Sequence, residues 1–142
     1  MAIEQTVAMV KPDGVKRNLV HEVILSYKGS GLKIIDMRVF VFTPSLAMDF
    51  YREHIDRSFF GSLIDHMTSG PVVALLLSGQ NAISLVRELN GATNPEEATR
   101  ESLRGQFLIR GFFDRIKPAA NFVHGSDSPD AATRELKLLF LS

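Results

Sequence analysis

Apolar positions along the chain fall into short runs punctuated by turn residues, and their period switches between that of a strand and that of a helix. Thr6-Val7-Ala8-Met9-Val10 is continuous, as in a strand buried on both faces. Lys11-Pro12-Asp13-Gly14 stops it with turn chemistry, which leaves Lys11 at the C-terminal end of a core strand, a rigid place from which to present a charge. Leu19, Val20, Val23, Ile24 and Tyr27 recur at helical spacing up to a Gly29-Ser30-Gly31 stop. From Leu32 to Phe42 the period returns to two, with Ile35, Met37, Val39 and Val41 on one face and Asp36 and Arg38 on the other. Thr43-Pro44 is a cap followed by a proline suited to the first helical position, opening a helix with Leu46, Ala47, Phe50 and Tyr51. A short helix from about Phe59 carries Phe60, Leu63, Ile64 and Met67 as its stripe and ends at Gly70-Pro71.

Val72 to Leu77 is the most apolar run and predicts a central strand, followed by an amphipathic helix over Asn81–Leu89 with Ile83, Val86 and Leu89 inward. Thr93-Asn94-Pro95 and Ser128-Pro129 repeat the cap-plus-proline start, and Leu136 to Leu141 is expected as a last strand. The order β-α-β-α-α-β-α, an irregular segment, then α-β implies an α/β layer fold in one domain spanning 1–142.

Charge and composition narrow the function by exclusion. Lys+Arg and Asp+Glu number 16 each, so no global positive field favours nucleic acid or an anionic membrane, and a polyanionic ligand would need locally gathered cations. Cysteine is absent, which excludes disulfides and thiolate metal sites. No signal peptide or run long enough to span a membrane is visible, so a cytoplasmic location is expected. Neither a G-x-x-x-x-G-K-[ST] loop nor a G-x-G-x-x-G fingerprint occurs, so any phosphate would be met by side chains.

The candidate chemistry centres on Asn121-Phe122-Val123-His124-Gly125-Ser126-Asp127-Ser128, where a histidine sits in a turn of small polar residues after a short extended run. Gly125 and Ser126 leave little bulk beside His124, so its ring could meet a large ligand. Imidazole titrates near neutrality, and its uncharged form is a competent nucleophile. Glu135 follows Ser128 by seven residues, and two helical turns place it on the face of the capping serine. His21, His54 and His66 show no metal-ligand spacing and are expected as surface or satisfied core residues.

Taken with Tyr51, Arg57-Ser58-Phe59-Phe60, Ser69-Gly70-Pro71-Val72, Gly91-Ala92-Thr93-Asn94-Pro95 and Arg104-Gly105, the Lys11-Pro12-Asp13-Gly14 and His-Gly-Ser-Asp-Ser segments resemble the nucleoside diphosphate kinase family along essentially the whole chain. The resemblance implies a ferredoxin-like sandwich with a four-stranded antiparallel sheet covered by helices. It implies transfer of the γ-phosphoryl group from a nucleoside triphosphate such as ATP or GTP to a nucleoside diphosphate, by a ping-pong exchange through phosphohistidine with broad base specificity. Mg²⁺ would be held mainly by the nucleotide phosphates rather than by protein ligands, and the protein would be a homo-oligomer. Residue by residue, His124 resembles the nucleophile, and Ser126 and Glu135 the groups that orient it. Arg87, Arg104 and Thr93 resemble donors to the β- and γ-phosphates, with the Tyr51 hydroxyl near them. Lys11 and Asn121 resemble the sugar-hydroxyl contacts, Lys11 also lying near the transferring phosphoryl, and Phe59 with Leu63 beside it resembles the base-stacking platform.

Two departures stand out. Ser58 occupies a place where proline is common, and the segment 105–120 is longer than the family pattern. Ile109, Phe112, Phe113 and Ile116 share one helical face there, which predicts a short amphipathic helix rimming the cleft. The alternative reading is a catalytically silent, nucleotide-binding regulatory domain of the same fold; such a domain would tolerate loss of His124 and Glu135, yet both are present.

Overall fold

The computed structural model describes residues 3–94, 97–107 and 121–141. The helix expected around Ile109–Ile116 and the proline of the Thr93-Asn94-Pro95 start lie outside those residues. The described elements are β1 (Ile3–Val10), α1 (Pro12–Lys16), α2 (Val20–Gly29), β2 (Lys33–Val41), α3 (Pro44–Phe50), a 3₁₀ turn (Arg52–His54), α4 (Phe60–Met67), β3 (Pro71–Gln80), α5 (Ala82–Asn90), α6 (Leu103–Gln106), β4 (Val123–Gly125) and α7 (Pro129–Phe140).

The four strands form one sheet in the order β2-β3-β1-β4, every neighbouring pair antiparallel, which is the expected ferredoxin-like arrangement. β1 and β3 read as continuous apolar runs because helices cover both faces of the sheet. Val7 and Met9 pack with Phe50, Ile64, Met67 and Leu139 on one face. Ala8 and Val10 pack with Val23, Tyr27, Val86 and Phe122 on the other.

Three expectations are corrected. The run Leu136–Leu141 is not a strand: it is the end of α7, which Ser128 starts by accepting the amide of Ala131 at 3.1 Å, with Pro129 in the first turn. Ala131, Ala132, Glu135 and Leu139 are buried at helical spacing, so the apolar run continues an inward stripe already in progress. The fourth strand is instead β4, so His124 stands inside a strand rather than in a turn. Its three residues pair with Ala8, Met9 and Val10 of β1. Lys11-Pro12-Asp13-Gly14 does not simply turn; Pro12 opens the short helix α1.

The period-two pattern of β2 is present, but its apolar row is the exposed one. Ile35, Met37, Val39 and Val41 are between 48% and 64% exposed, while Asp36 and Arg38 face the helix layer. The inward row also carries Phe40 and, just past the strand, Phe42, which pack into the core, and the Arg38 guanidinium donates to the terminal carbonyls of α7, Leu139 and Phe140, at 3.1 Å each, and lies over the Phe140 ring. A cation at a helix C-terminus meets both the unpaired carbonyls and the negative end of the dipole.

Candidate active site

The strand ends and helix termini at one end of the sheet enclose a cleft of about 350 Å³, within the size range of small-ligand sites. Lys11, Tyr51, Phe59, Leu63, Arg87, Thr93, Arg104, Asn121, His124 and Glu135 all line it. Of the site residues expected from sequence, Ser126 alone stands behind the wall, where it is fully buried.

His124 is held from three sides. Its backbone pairs with Met9 of the central strand, and its ring packs edge-on against Phe50 and Tyr51 at centroid distances of 5.1 and 6.3 Å. Its Nε2 lies 2.8 Å from Glu135 Oε1, and the Ser126 hydroxyl donates to the same oxygen at 2.8 Å. An ionised carboxylate only accepts, so Nε2 carries the hydrogen and Nδ1 keeps its lone pair. Gly125 is required next to it, because a Cβ there would stand 2.8 Å from Val86 Cγ1 on α5. Arg134, one residue before Glu135, donates to the Phe50 carbonyl at 3.0 Å and pairs with Glu53, tying α7 to the end of α3.

Cations converge from separate elements. Lys11, at the end of β1, donates from Nζ to Asn121 Oδ1 at 2.8 Å, and Asn121 Nδ2 donates to the Thr93 carbonyl at 2.9 Å. Burial, and secondarily the Arg104 charge, lower the Lys11 ammonium to about 7, against a smaller opposing pull from Asp13. Arg87 projects from α5 and donates to the Gly125 carbonyl at 3.4 Å. Arg104 on α6 is buried and donates to three backbone carbonyls, those of Gly91 at 2.7 Å, Asn121 at 3.1 Å and Val123 at 2.5 Å. Burial lowers its guanidinium to about 10. The Tyr51 hydroxyl, also lining the cleft, is buried with no hydrogen-bond partner among the described residues, and that burial raises its pKa. An unpaired buried hydroxyl is costly unless something else supplies the missing bond.

A sequence model of the nucleoside diphosphate kinase family matches residues 4–142. A nucleoside diphosphate kinase of Archaeoglobus fulgidus is 46% identical over 138 residues, covering 97% of this chain and 87% of its own. One from Moorella thermoacetica is 41% identical over 140 residues, covering 99% and 96%. The chain belongs to the nucleoside diphosphate kinase family. Among solved structures, the nucleoside diphosphate kinase of Aquifex aeolicus superimposes with a TM-score of 0.90 at 37% identity, covering 98% of this chain and 96% of the other.

Within this family member the cleft also contains residues that sequence reasoning passed over. His54, expected as a surface or satisfied core residue, instead faces Phe59 at a centroid distance of 5.7 Å and lines the cleft; its position after α3 carries no periodic signal. Asn90 closes α5 at the inward spacing of Ile83 and Val86, is buried, and accepts from the Tyr27 hydroxyl at 2.5 Å. A polar residue on an apolar stripe was the available clue. His66, by contrast, is a satisfied core residue as expected, 2.9 Å from Asp13.

Proposed function

We propose that this protein transfers the γ-phosphoryl group of a nucleoside triphosphate to a nucleoside diphosphate through His124. The observation that carries the reading is the Ser126–Glu135–His124 chain of hydrogen bonds, which leaves Nδ1 as the ring nitrogen available in a cleft lined by Lys11, Arg87 and Arg104. In the first half-reaction the Nδ1 lone pair attacks the γ-phosphorus, and the bond to the β–γ bridging oxygen breaks to release the diphosphate. Glu135 stabilises the positive charge that develops on the ring. In the second, a terminal oxygen of the acceptor diphosphate attacks the phosphorus, and the P–N bond breaks. Splitting one transfer into two gives ping-pong kinetics.

Phosphoryl transfer requires alignment and neutralisation of oxygen charge. Arg87 and Arg104 supply donors, Thr93 sits exposed on the rim, and Tyr51 offers a hydroxyl whose missing partner a phosphate oxygen would provide. Lys11 and Asn121, already paired, fit the sugar hydroxyls. Phe59 and Leu63 fit the base, and a stacking platform reads only the π-face, which suits broad use of ATP, GTP and other nucleotides. Among the described residues no group of three or more His, Asp or Glu is placed to hold a metal. Glu135 is engaged with His124, and Glu53 with Arg134, leaving Asp127 as a carboxylate on the cleft wall. That donor set fits a Mg²⁺ ion that takes most of its ligands from phosphates and water. When bound, it would offset the negative charge of the phosphates.

The exposed apolar row on β2 supports a homo-oligomer. No described helix is long and apolar enough to cross a membrane, and together with the balanced charge this suits a cytoplasmic enzyme acting on small nucleotides rather than nucleic acid. Incubation with γ-labelled ATP and Mg²⁺ tests the central claim. The protein should acquire an acid-labile, base-stable phosphate that unlabelled diphosphates remove, and His124→Gln should abolish both steps. Full transfer by that variant would refute the mechanism, and nucleotide binding without transfer by the unaltered protein would favour the silent regulatory reading.

A further inference from the structure

Between Asn121 and His124 the backbone passes through Phe122 in the left-handed region, with φ of 50°. That region is uncommon for non-glycine residues and an outlier for bulky ones, so the conformation needs an external hold. Asp13, in the first turn of α1, provides one. Its Oδ2 accepts the Phe122 amide hydrogen at 3.0 Å, while its Oδ1 lies 2.9 Å from His66 Nε2 on α4. Both side chains are nearly sealed from solvent, at 8% exposure for Asp13 and 10% for His66.

The surroundings point to a built turn. The Phe122 carbonyl accepts the amide of Lys11 at 2.8 Å, so the turn is tied to the residue that closes β1. Gly14 makes room for it, since a Cβ at that position would stand 2.9 Å from the same carbonyl. One residue before the turn, Asn121 holds the Lys11 ammonium; two residues after it stands His124. The offset between these groups runs through Phe122, whose amide Asp13 secures and whose carbonyl Lys11 holds.

We propose that Asp13 is a positioning residue for phosphoryl transfer: with one oxygen on the Phe122 amide and the other on His66, it fixes the left-handed turn that sets Asn121 and His124 at the cleft. The proposal rests on His124 being the nucleophile. Two donors converge on this side chain, so an acceptor-only group fits there. Asparagine can keep the same geometry: its carbonyl oxygen accepts from Phe122, and its amide donates to the other tautomer of the His66 ring. Glutamate keeps the charge but carries its oxygens one methylene too far. The Asn and Glu variants therefore separate position from charge.

The test is the single-turnover rate of His124 labelling at saturating γ-labelled ATP with Mg²⁺, where phosphate charge keeps Lys11 protonated, together with the Kd for ADP and the melting temperature. Asp13→Glu and Asp13→Ala should slow labelling about 10-fold or more, as expected for a misplaced nucleophile, and should weaken ADP by a smaller factor through the shifted Asn121. Asp13→Asn should label within about threefold of the unaltered protein. If Asp13→Ala does not fold, the Asn and Glu variants decide alone. Glu at the unaltered rate, or Asn as slow as Glu in folded protein, would overturn the proposal. Failure of the unaltered protein to label at all would instead remove the underlying assignment of His124.

Discussion

At the scale of single residues, the site depends on charges held where water cannot reach them. Lys11 shows the consequence most directly. Its folded-state pKa of about 7 lies below the 10.5 of an exposed lysine, so the fold disfavours its charged form. The unfolded chain therefore binds more protons between those values, and this group's contribution to stability rises with pH across that window. Below pH 7 the cost of the buried ammonium is borne in full. Nucleotide phosphates reverse the balance by favouring the charged form. Binding of ADP at pH 8 should take up a proton at Lys11, with uptake approaching one per site and fading by pH 6. Calorimetry in buffers of different ionisation enthalpy measures this, and Lys11→Met should remove it. Equal uptake in that variant would assign the proton elsewhere. The residues that line the cleft were named from the sequence through their resemblance to family motifs, which are local signals such as a histidine followed by Gly and Ser or a lysine ending a strand. The burial that lowers Lys11 was not, since it is made by the folded chain, and the Arg104 charge that adds to it comes from about ninety positions away.

At the scale of elements, helix starts were readable from Ser128-Pro129 and Thr43-Pro44, because a cap is written in adjacent residues. The type of a short apolar run was not. Leu136–Leu141 suits a strand or a helix, and only its continuity with Ala131, Ala132 and Glu135 inside one buried stripe decides for helix. Three-residue β4 escaped notice for the opposite reason: it is too short to show a period, and pairing with β1 alone makes it a strand. Arg104 supplies a second fastening for that strand. From α6 it reaches the carbonyls of Asn121 and Val123, and Gly91 beyond α5. Arg104→Ala removes a donor from three carbonyls, of which Asn121 keeps the Val123 amide at 2.8 Å, at roughly 1–3 kcal/mol for each one left unsatisfied. Arg87 makes a single long bond to Gly125. Both substitutions should slow turnover by about 10- to 100-fold, from the loss of charged hydrogen bonds to phosphate in the transition state. Arg104→Ala alone should also lower the melting temperature by several degrees in calorimetry. Equal melting temperatures for the two variants would contradict the fastening role.

At the scale of the whole molecule, the fold class was legible because strand and helix periods alternate along the chain, yet the sequence pattern could not tell which face of β2 points inward. An apolar row opposite a row with Asp36 and Arg38 would ordinarily be buried; here Phe40 and Phe42 hold the opposite row in the core, and Arg38 caps α7 from it. Four exposed apolar side chains on an edge strand are more than monomers usually keep, which supports the homo-oligomer proposed above. Val39→Lys should therefore shift the protein to a smaller species in light scattering, with little change in the fold of the protomer. An unaltered mass would place the interface elsewhere.

The sheet order β2-β3-β1-β4 sets that apolar row and the His124 strand on opposite edges. Copies joined through β2 thus keep their clefts apart, with two strands of each protomer between the seam and the nucleophile. In such an assembly each protomer is expected to work as an autonomous unit, with occupancy at one site carrying no message to the next. Saturation curves should be hyperbolic. An assembly blended from intact and His124→Gln protomers should lose activity in simple proportion to the inactive fraction, as expected when the catalyst is counted by the chain and not by the complex.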